Sequence, residues 1–235
     1  MSSITDRVRN ELQKNAEEKV RISSQRFFKE EIKTFGVKAA VLHNLSKALY
    51  NDFDFKGKQE LFEVCELLWQ SGYIEEAAVA CNWSYYIRKQ YEPSDFETFE
   101  RWILNYANNW ATCDALCNHT VGTFIEMYPE FIQRLKDFTR SENRWMRRAA
   151  AVSLIVPARK GKFLTDIFEI ADLLLTDTDD LVQKGYGWML KVAANKHQQE
   201  VFEYVIKHKR IMPRTALRYA IEKMPADLKV EAMKK

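Results

Sequence analysis

The feature that most constrains this chain is the recurrence of apolar residues at intervals of three and four, in one segment after another. That spacing makes one face of a helix apolar, as it does for Leu42, Leu45 and Leu49. Only seven glycines and five prolines interrupt the 235 residues. This is too few for a β-sandwich or barrel, which needs a turn about every ten residues. The sequence therefore predicts an all-α protein.

The helical segments are expected to pair into antiparallel hairpins of roughly 35–45 residues, the length of a HEAT or armadillo unit. We predict an α-solenoid of about thirteen helices in degenerate HEAT-like repeats, forming a single domain over residues 1–235. A plain globular helix bundle is the alternative. The predicted helices span residues 12–19, 20–35, 39–50, 58–70, 74–91, 94–107, 110–127, 130–139, 144–155, 163–175, 179–195, 198–208, 214–223 and 226–234.

Two local features qualify this pattern. Ser94 and Glu97 have the spacing of a capping box at the start of a helix. Residues 153–162 pass from β-branched side chains through proline to a basic turn, which predicts a small β-hairpin or an extended loop. Arg159, Lys160 and Lys162 in that turn suit phosphate contact. A charged surface loop is the alternative.

Several classes of protein are disfavoured. No apolar run reaches the 18 residues of a membrane span, and the first residues do not start a signal peptide, so a cytosolic protein is expected. Gly185-Tyr186-Gly187 lacks the third glycine of a phosphate-binding loop. Cys113 and Cys117, with His119 nearby, raise the question of zinc, but structural zinc needs four ligands and the other cysteines, Cys65 and Cys81, lie in separate helical patterns. Two small buried residues at helical spacing are the favoured interpretation. We predict neither a metal nor a cofactor.

Charge is distributed unevenly along the chain although the net charge is only +3. Residues 52–101 hold eleven acidic and five basic side chains, a balance of −6. Residues 134–162 hold nine basic and two acidic side chains, a balance of +7, and residues 207–223 add +5. This polarity indicates a polyanion partner for the C-terminal half. Ordinary solvated helix faces would produce it as well.

Three segments centred on tryptophan recur at intervals of about one helical hairpin. Trp110 and Asp114 lie four residues apart, on one helix face. Arg144-Trp145-Met146-Arg147-Arg148 precedes a run of alanines, and Gly187-Trp188 lies on a later helix. Stacked hairpins would bring the three segments together, as a site or as core. Trp145 is expected to be the packing residue of the three.

In this order the segments resemble the HEAT-like-repeat DNA glycosylases of the AlkD type, the bacterial DNA alkylation repair family. The resemblance extends to Arg26-Phe27-Phe28-Lys29 and Phe35-Gly36-Val37-Lys38, and so spans most of the chain. It implies a curved solenoid that holds duplex DNA, as a monomer in the bacterial cytosol or on the nucleoid. It also implies excision of cationic N3- or N7-alkylpurines from the DNA. In this family the damaged base would stay in the base stack during excision, whereas most glycosylases flip it into a pocket.

The resemblance implies roles for particular residues. Asp114 would stabilise the positive sugar that forms as the base departs, and Trp110 and Trp188 would offer indole faces to cationic groups. Arg148 would contact a phosphate. Further contacts with DNA are expected from the remaining basic residues of the predicted interface: Lys38, Arg147, Arg159, Lys160, Lys162, Lys184 and Arg214.

The chain also departs from the family pattern. Asn109 stands where a second tryptophan is frequent, Phe27 replaces a tyrosine, and Lys38 replaces a polar amide. The basic turn at 159–162 resembles an insertion. These changes leave open two alternatives to a glycosylase, namely a non-catalytic binder of branched or distorted DNA and a protein-interaction solenoid.

Overall fold

The computed structural model describes residues 3–234 and divides the chain into two compact units. The N-terminal unit ends at Leu116 and the C-terminal unit begins at Cys117. The described residues contain one isolated β-bridge, between Lys33 and Tyr73, and no strand. No helix among them is both long enough and apolar enough to cross a membrane. The predicted all-α fold is confirmed.

The N-terminal unit contains seven α-helices among its described residues. They are α1 (Ile4–Lys14), α2 (Glu18–Gln25), α3 (Ala39–Asp52), α4 (Lys58–Gln70), α5 (Ile74–Tyr86), α6 (Asp95–Tyr106) and α7 (Trp110–Ala115). Helix α5 packs against α3 on one side and α7 on the other, while α4 packs against α5 and α6. Contacts between each helix and its next-but-one neighbour are typical of stacked helical repeats.

The C-terminal unit is also built from helices that pack side by side. Its helices are α8 (Gly122–Met127), α9 (Ile132–Phe138), α10 (Arg144–Val152), α11 (Ile155–Arg159), α12 (Leu164–Leu173), α13 (Asp180–Ala193), α14 (Gln198–His208), α15 (Arg214–Ile221) and α16 (Ala226–Met233). Helices α10, α13 and α15 pack side by side, while α9, α12 and α14 pack against them. A π-helical segment, Leu116–Val121, separates α7 from α8. Such segments disturb the regular α-helical hydrogen bonds and are frequent near functional sites.

The predicted helix over residues 20–35 is wrong beyond Gln25. The Gln25 side chain donates to the Glu30 carbonyl and accepts from the Ile32 N–H, so it supports a turn instead of a further helical turn. Ile74 then donates its N–H to the Lys33 carbonyl. Residues 26–38 therefore form a non-helical segment, called here the 26–38 segment.

The predicted capping box is also absent. Ser94 makes no capping hydrogen bond with its side chain. The Asp95 carboxylate instead accepts from the Glu92 N–H and from Lys58. An aspartate one position later thus organises the start of α6, since a charged acceptor binds an N–H more strongly than a hydroxyl does.

The hairpin or extended loop predicted near residues 153–162 is wrong, because α11 occupies its centre. Pro157 is the third residue of α11, where a helix requires no N–H donor. The helix ends in a Schellman motif, in which Gly161 donates to the Ala158 carbonyl and Lys162 to the Pro157 carbonyl. Gly161 adopts φ = 78°, a left-handed conformation that glycine accommodates without strain.

Candidate functional site

Trp110 and Asp114 lie on the solvent-facing side of α7. Both are half-buried, whereas Thr112 and Cys113 between them are buried. The helix starts at Asn109, whose buried side chain accepts a hydrogen bond from the Thr112 N–H at 3.0 Å. The asparagine that replaces an expected tryptophan is therefore the N-cap of α7, and it sets where the aromatic ring and the carboxylate emerge.

The 26–38 segment covers part of Trp110. The rings of Phe28 and Trp110 stack with centroids 5.2 Å apart and an interplanar angle of 18°. The indole Nε1 donates to the Phe27 carbonyl at 3.2 Å, and the Phe27 side chain is 73% exposed. One face of the Trp110 indole is thus packed against Phe28. The exposed phenyl ring belongs to Phe27, the residue before Phe28.

A buried carboxylate holds the end of the 26–38 segment in place. Glu75, at the start of α5, accepts hydrogen bonds from the Thr34 hydroxyl and from the N–H groups of Phe35, Gly36 and Val37. Lys38 is the next residue after Val37 and is the N-cap of α3. Its ammonium group lies 2.6 Å from a Glu17 carboxylate oxygen, and both side chains are exposed.

The cysteines near this helix are packed away from solvent. Cys113 and Cys117 are fully buried, and all four cysteines are free thiols. Burial is the main cause that raises the pKa of Cys81 far above its ordinary value. Among residues 3–234, no three histidine, cysteine or acidic side chains are grouped as metal ligands would be. The thiols thus act as small core residues.

In the C-terminal unit, Arg148 lies in the interface between α10 and α13. Its side chain is only 5% exposed, and it donates through Nη1 to the Leu181 carbonyl. A Cβ atom on Gly185 would lie 3.4 Å from Arg148 Cγ, so the arginine side chain packs directly against α13 at this glycine. Trp145, on the same helix, is buried as expected for a packing residue.

Arg147 is bound by its own protein. Its Nε donates to Asp177 at 2.7 Å, and its Nη1 donates to the carbonyls of Ser141 and Glu142. A guanidinium with this many protein acceptors ties the start of α10 to the residues that precede α13.

Trp188 and Lys184 lie one turn apart on the outer side of α13, and both are half-buried. Lys184 is 3.2 Å from an Asp180 carboxylate oxygen on the same helix. The neighbouring side of α13 is packed tightly, since a Cβ atom on Gly187 would lie 2.7 Å from the Ala216 carbonyl oxygen. Glycine therefore permits the close approach of α15, which fixes the side from which Trp188 projects.

The remaining basic candidates lie on the surface of the C-terminal unit. Arg159 is exposed at the end of α11, and Lys160 and Lys162 follow it in the turn. Arg214 starts α15 and lines a cavity of about 580 Å³. The other described residues that line this cavity are Lys209, Arg210, Met233 and Lys234.

Sequence reasoning missed residues that act through distant partners. Phe28 lies inside the Arg26-Phe27-Phe28-Lys29 motif, but nothing in the sequence indicates that it stacks on Trp110. Glu75 and Glu126 resemble any other helical glutamate, although each binds groups more than 30 residues away. The expectation that the three tryptophan segments share one site stays a prediction.

The comparisons with known proteins agree with this architecture. The sequence model of a family described as DNA alkylation repair enzyme matches residues 8–224. A solved structure described as a predicted DNA alkylation repair enzyme from Enterococcus faecalis matches with a TM-score of 0.79 and 18% sequence identity. The match covers 90% of this chain and 98% of that one, and it shows a shared fold. No curated protein matches the sequence at a significant level.

Proposed function

This chain belongs to the DNA alkylation repair enzyme family, and on that premise we propose that it is a DNA glycosylase acting on alkylated duplex DNA. Its proposed substrates are purines that carry an alkyl group on N3 or N7. The observation that carries the proposal is the pairing of Trp110 with Asp114 on the solvent-facing side of α7, within the region matched by the family.

The proposed chemistry suits these residue types. Alkylation at N3 or N7 makes the base cationic, so the base leaves without first being protonated. The deoxyribose then develops positive charge as the glycosidic bond breaks. A carboxylate such as Asp114 stabilises this charge more in the transition state than in the ground state, which accelerates the reaction. Water adds to the sugar, and no cofactor is required.

The aromatic and basic residues have complementary proposed roles. The exposed part of the Trp110 indole attracts the cationic base or sugar, and Trp188 offers a second aromatic surface in the C-terminal unit. Arg159, Lys184 and Arg214 supply positive charge for contacts with the phosphate backbone, and the largely buried Arg148 adds to the positive field at longer range. We propose that the protein acts as a monomer on DNA in the bacterial cytosol.

The test is release of methylated purine from a methylated duplex under single-turnover conditions. We expect the wild type to release base and Asp114→Asn to be slower by about 100-fold, the scale of losing one electrostatic stabiliser. Asp137→Asn, an exposed substitution on α9, should leave the rate unchanged. Absence of release above background by the wild type would refute the glycosylase proposal.

The second candidate is a non-catalytic binder of branched or distorted DNA. It is favoured by the packing of Trp110 against Phe28, which leaves less of the indole for a nucleotide, and by Lys38 at the start of α3. Base release and DNA binding, measured on the same wild-type protein, decide between the glycosylase and the non-catalytic binder. No base release, together with tighter binding to a four-way junction than to a linear duplex of equal length, would support the binder.

A further inference from the structure

Lys160 and Lys162 converge on a single carboxylate. Lys160 Nζ lies 2.6 Å from Glu126 Oε2, and Lys162 Nζ lies 3.1 Å from Glu126 Oε1. The lysine side chains are 56% and 49% exposed, whereas that of Glu126 is 10% exposed. Glu126 belongs to the last turn of α8, so its carboxylate lies beneath two ammonium groups that face solvent.

The backbone between the two lysines is held from a second side. His197 forms a hydrogen bond of 3.1 Å between its Nε2 and the Gly161 carbonyl oxygen. The Schellman motif fixes the conformation of the same three residues. We call Lys160, Gly161 and Lys162 the 160–162 turn. These contacts hold its backbone, and so its two lysines, in a defined position.

Glu126 offsets half of that charge. Burial favours the neutral acid, but the two lysines outweigh it and hold the pKa of Glu126 below its ordinary value. The group is therefore a carboxylate at neutral pH, and the two lysines with Glu126 carry a net charge of +1 instead of +2. A phosphate that approaches the turn is attracted by the lysines and repelled by the carboxylate beneath them.

We infer that Glu126 is a specificity-determining residue that limits how strongly the 160–162 turn binds a DNA phosphate. This inference rests on the proposed function, because it takes DNA as the polyanion. With Glu126 in place, each ammonium group must exchange or share its carboxylate partner before it contributes to binding. The turn adds little to the affinity for ordinary duplex, and non-specific binding stays weak.

The test is the affinity for an undamaged linear duplex as a function of salt concentration. We expect Glu126→Gln to bind about 3- to 10-fold more tightly at low salt, since it frees two lysines and removes one negative charge. The slope of log affinity against log salt should steepen by about one, the contribution of one further phosphate contact. Unchanged or weaker binding by this variant would overturn the inference.

Two sets of variants separate this effect from general charge. Glu130→Gln removes the same charge four residues away, from a glutamate whose side chain is exposed. It should bind less than twofold more tightly than the wild type. Replacing Lys160 and Lys162 together with methionine should weaken the wild type by much less than tenfold but cancel the whole gain of Glu126→Gln. A tenfold loss in the wild-type background would contradict the inference, and this arm holds even if Glu126→Gln folds poorly.

Elution from heparin distinguishes failure of the inference from failure of the proposed function. Heparin is a polyanion, so the wild type and Glu126→Gln can be compared without any requirement for DNA binding. Later elution of the variant, with no affinity of either protein for DNA, would support the role of Glu126 and refute the proposed function. Identical elution would refute the role of Glu126 whatever the binding to DNA.

Discussion

At the scale of single residues, burial separates the six tryptophans into two classes. Trp69, Trp83, Trp102 and Trp145 are buried, whereas Trp110 and Trp188 are half-buried. Helical register alone predicts that Trp110 and Asp114 share a face, and the structure agrees. Register does not reveal that Phe28 covers one face of Trp110, because that contact joins residues 82 positions apart.

The placement of Trp188 depends on Gly187, and this leads to a prediction. In Gly187→Ala the new Cβ would lie 2.7 Å from both the Ala216 carbonyl oxygen and Tyr219 Cβ, so α13 and α15 must move apart. We expect the free energy of unfolding to fall by about 1–3 kcal/mol, as in other overpacked interiors. Urea denaturation measures this change.

Gly185→Ala is the matched control on the same helix. Its Cβ would lie 3.4 Å from Arg148 Cγ, which is an ordinary van der Waals distance, and alanine favours a helix by about 0.5–1 kcal/mol over glycine. Its unfolding free energy should lie within about 1 kcal/mol of the wild type. Equal effects of the two substitutions would show that helix packing is not what requires Gly187.

At the scale of elements, the sequence predicts regular helices well and irregular segments poorly. The bounds of α4 and α14 are those expected, because apolar spacing and nearby turn residues agree there. Within the 26–38 segment, residues 26–35 were expected to be helical. Its conformation depends on hydrogen bonds to Glu75, about 40 residues later in the chain. Helix propensity reflects only neighbouring residues, so it cannot predict this contact.

The prediction of a hairpin or extended loop at residues 153–162 was wrong for a different reason. Its β-branched residues and Pro157 favour an extended chain locally, but Ile155 and Ala158 are buried in the packing of α11. Tertiary burial overrides a weak local preference. The roles expected of Arg148 and Lys184 at DNA are not fixed by their position on helices, so they stay predictions.

Glu75 gives the second prediction at this scale. In Glu75→Ala, the N–H groups of Phe35, Gly36 and Val37 lose their shared acceptor, and two of these residues are buried. We expect a loss of about 2–4 kcal/mol in unfolding free energy, since buried donors without partners are costly. The tryptophan fluorescence of the protein should also change, because the stacking of Phe28 on Trp110 weakens as the 26–38 segment loosens.

Glu63→Ala provides the comparison, since Glu63 is an exposed residue of the same unit. Its effect should stay within about 0.5 kcal/mol of the wild type, as at most surface positions. A similarly small effect of Glu75→Ala would mean that other contacts, such as the bridge between Lys33 and Tyr73, hold the segment.

At the scale of the whole molecule, the uneven charge of the sequence coincides with the division into two units. The acidic stretch, residues 52–101, lies within the N-terminal unit. Both basic stretches, residues 134–162 and 207–223, lie within the C-terminal unit. Several of the basic residues are engaged inside the protein, as Arg147 and Lys136 are, so a formal balance overstates the charge available to DNA.

The last prediction concerns the basic residues that remain accessible. Lys184 is half-buried on α13 and Arg214 is exposed at the start of α15, both in the C-terminal unit. If each contacts one phosphate, replacing both with glutamine reduces the salt slope of duplex binding by about two. Fluorescence anisotropy at several salt concentrations measures this slope. Lys89→Gln, an equally conservative change at an exposed position of the N-terminal unit, should leave the slope unchanged. Equal slopes for the wild type and the double variant would place the phosphate contacts elsewhere on the protein.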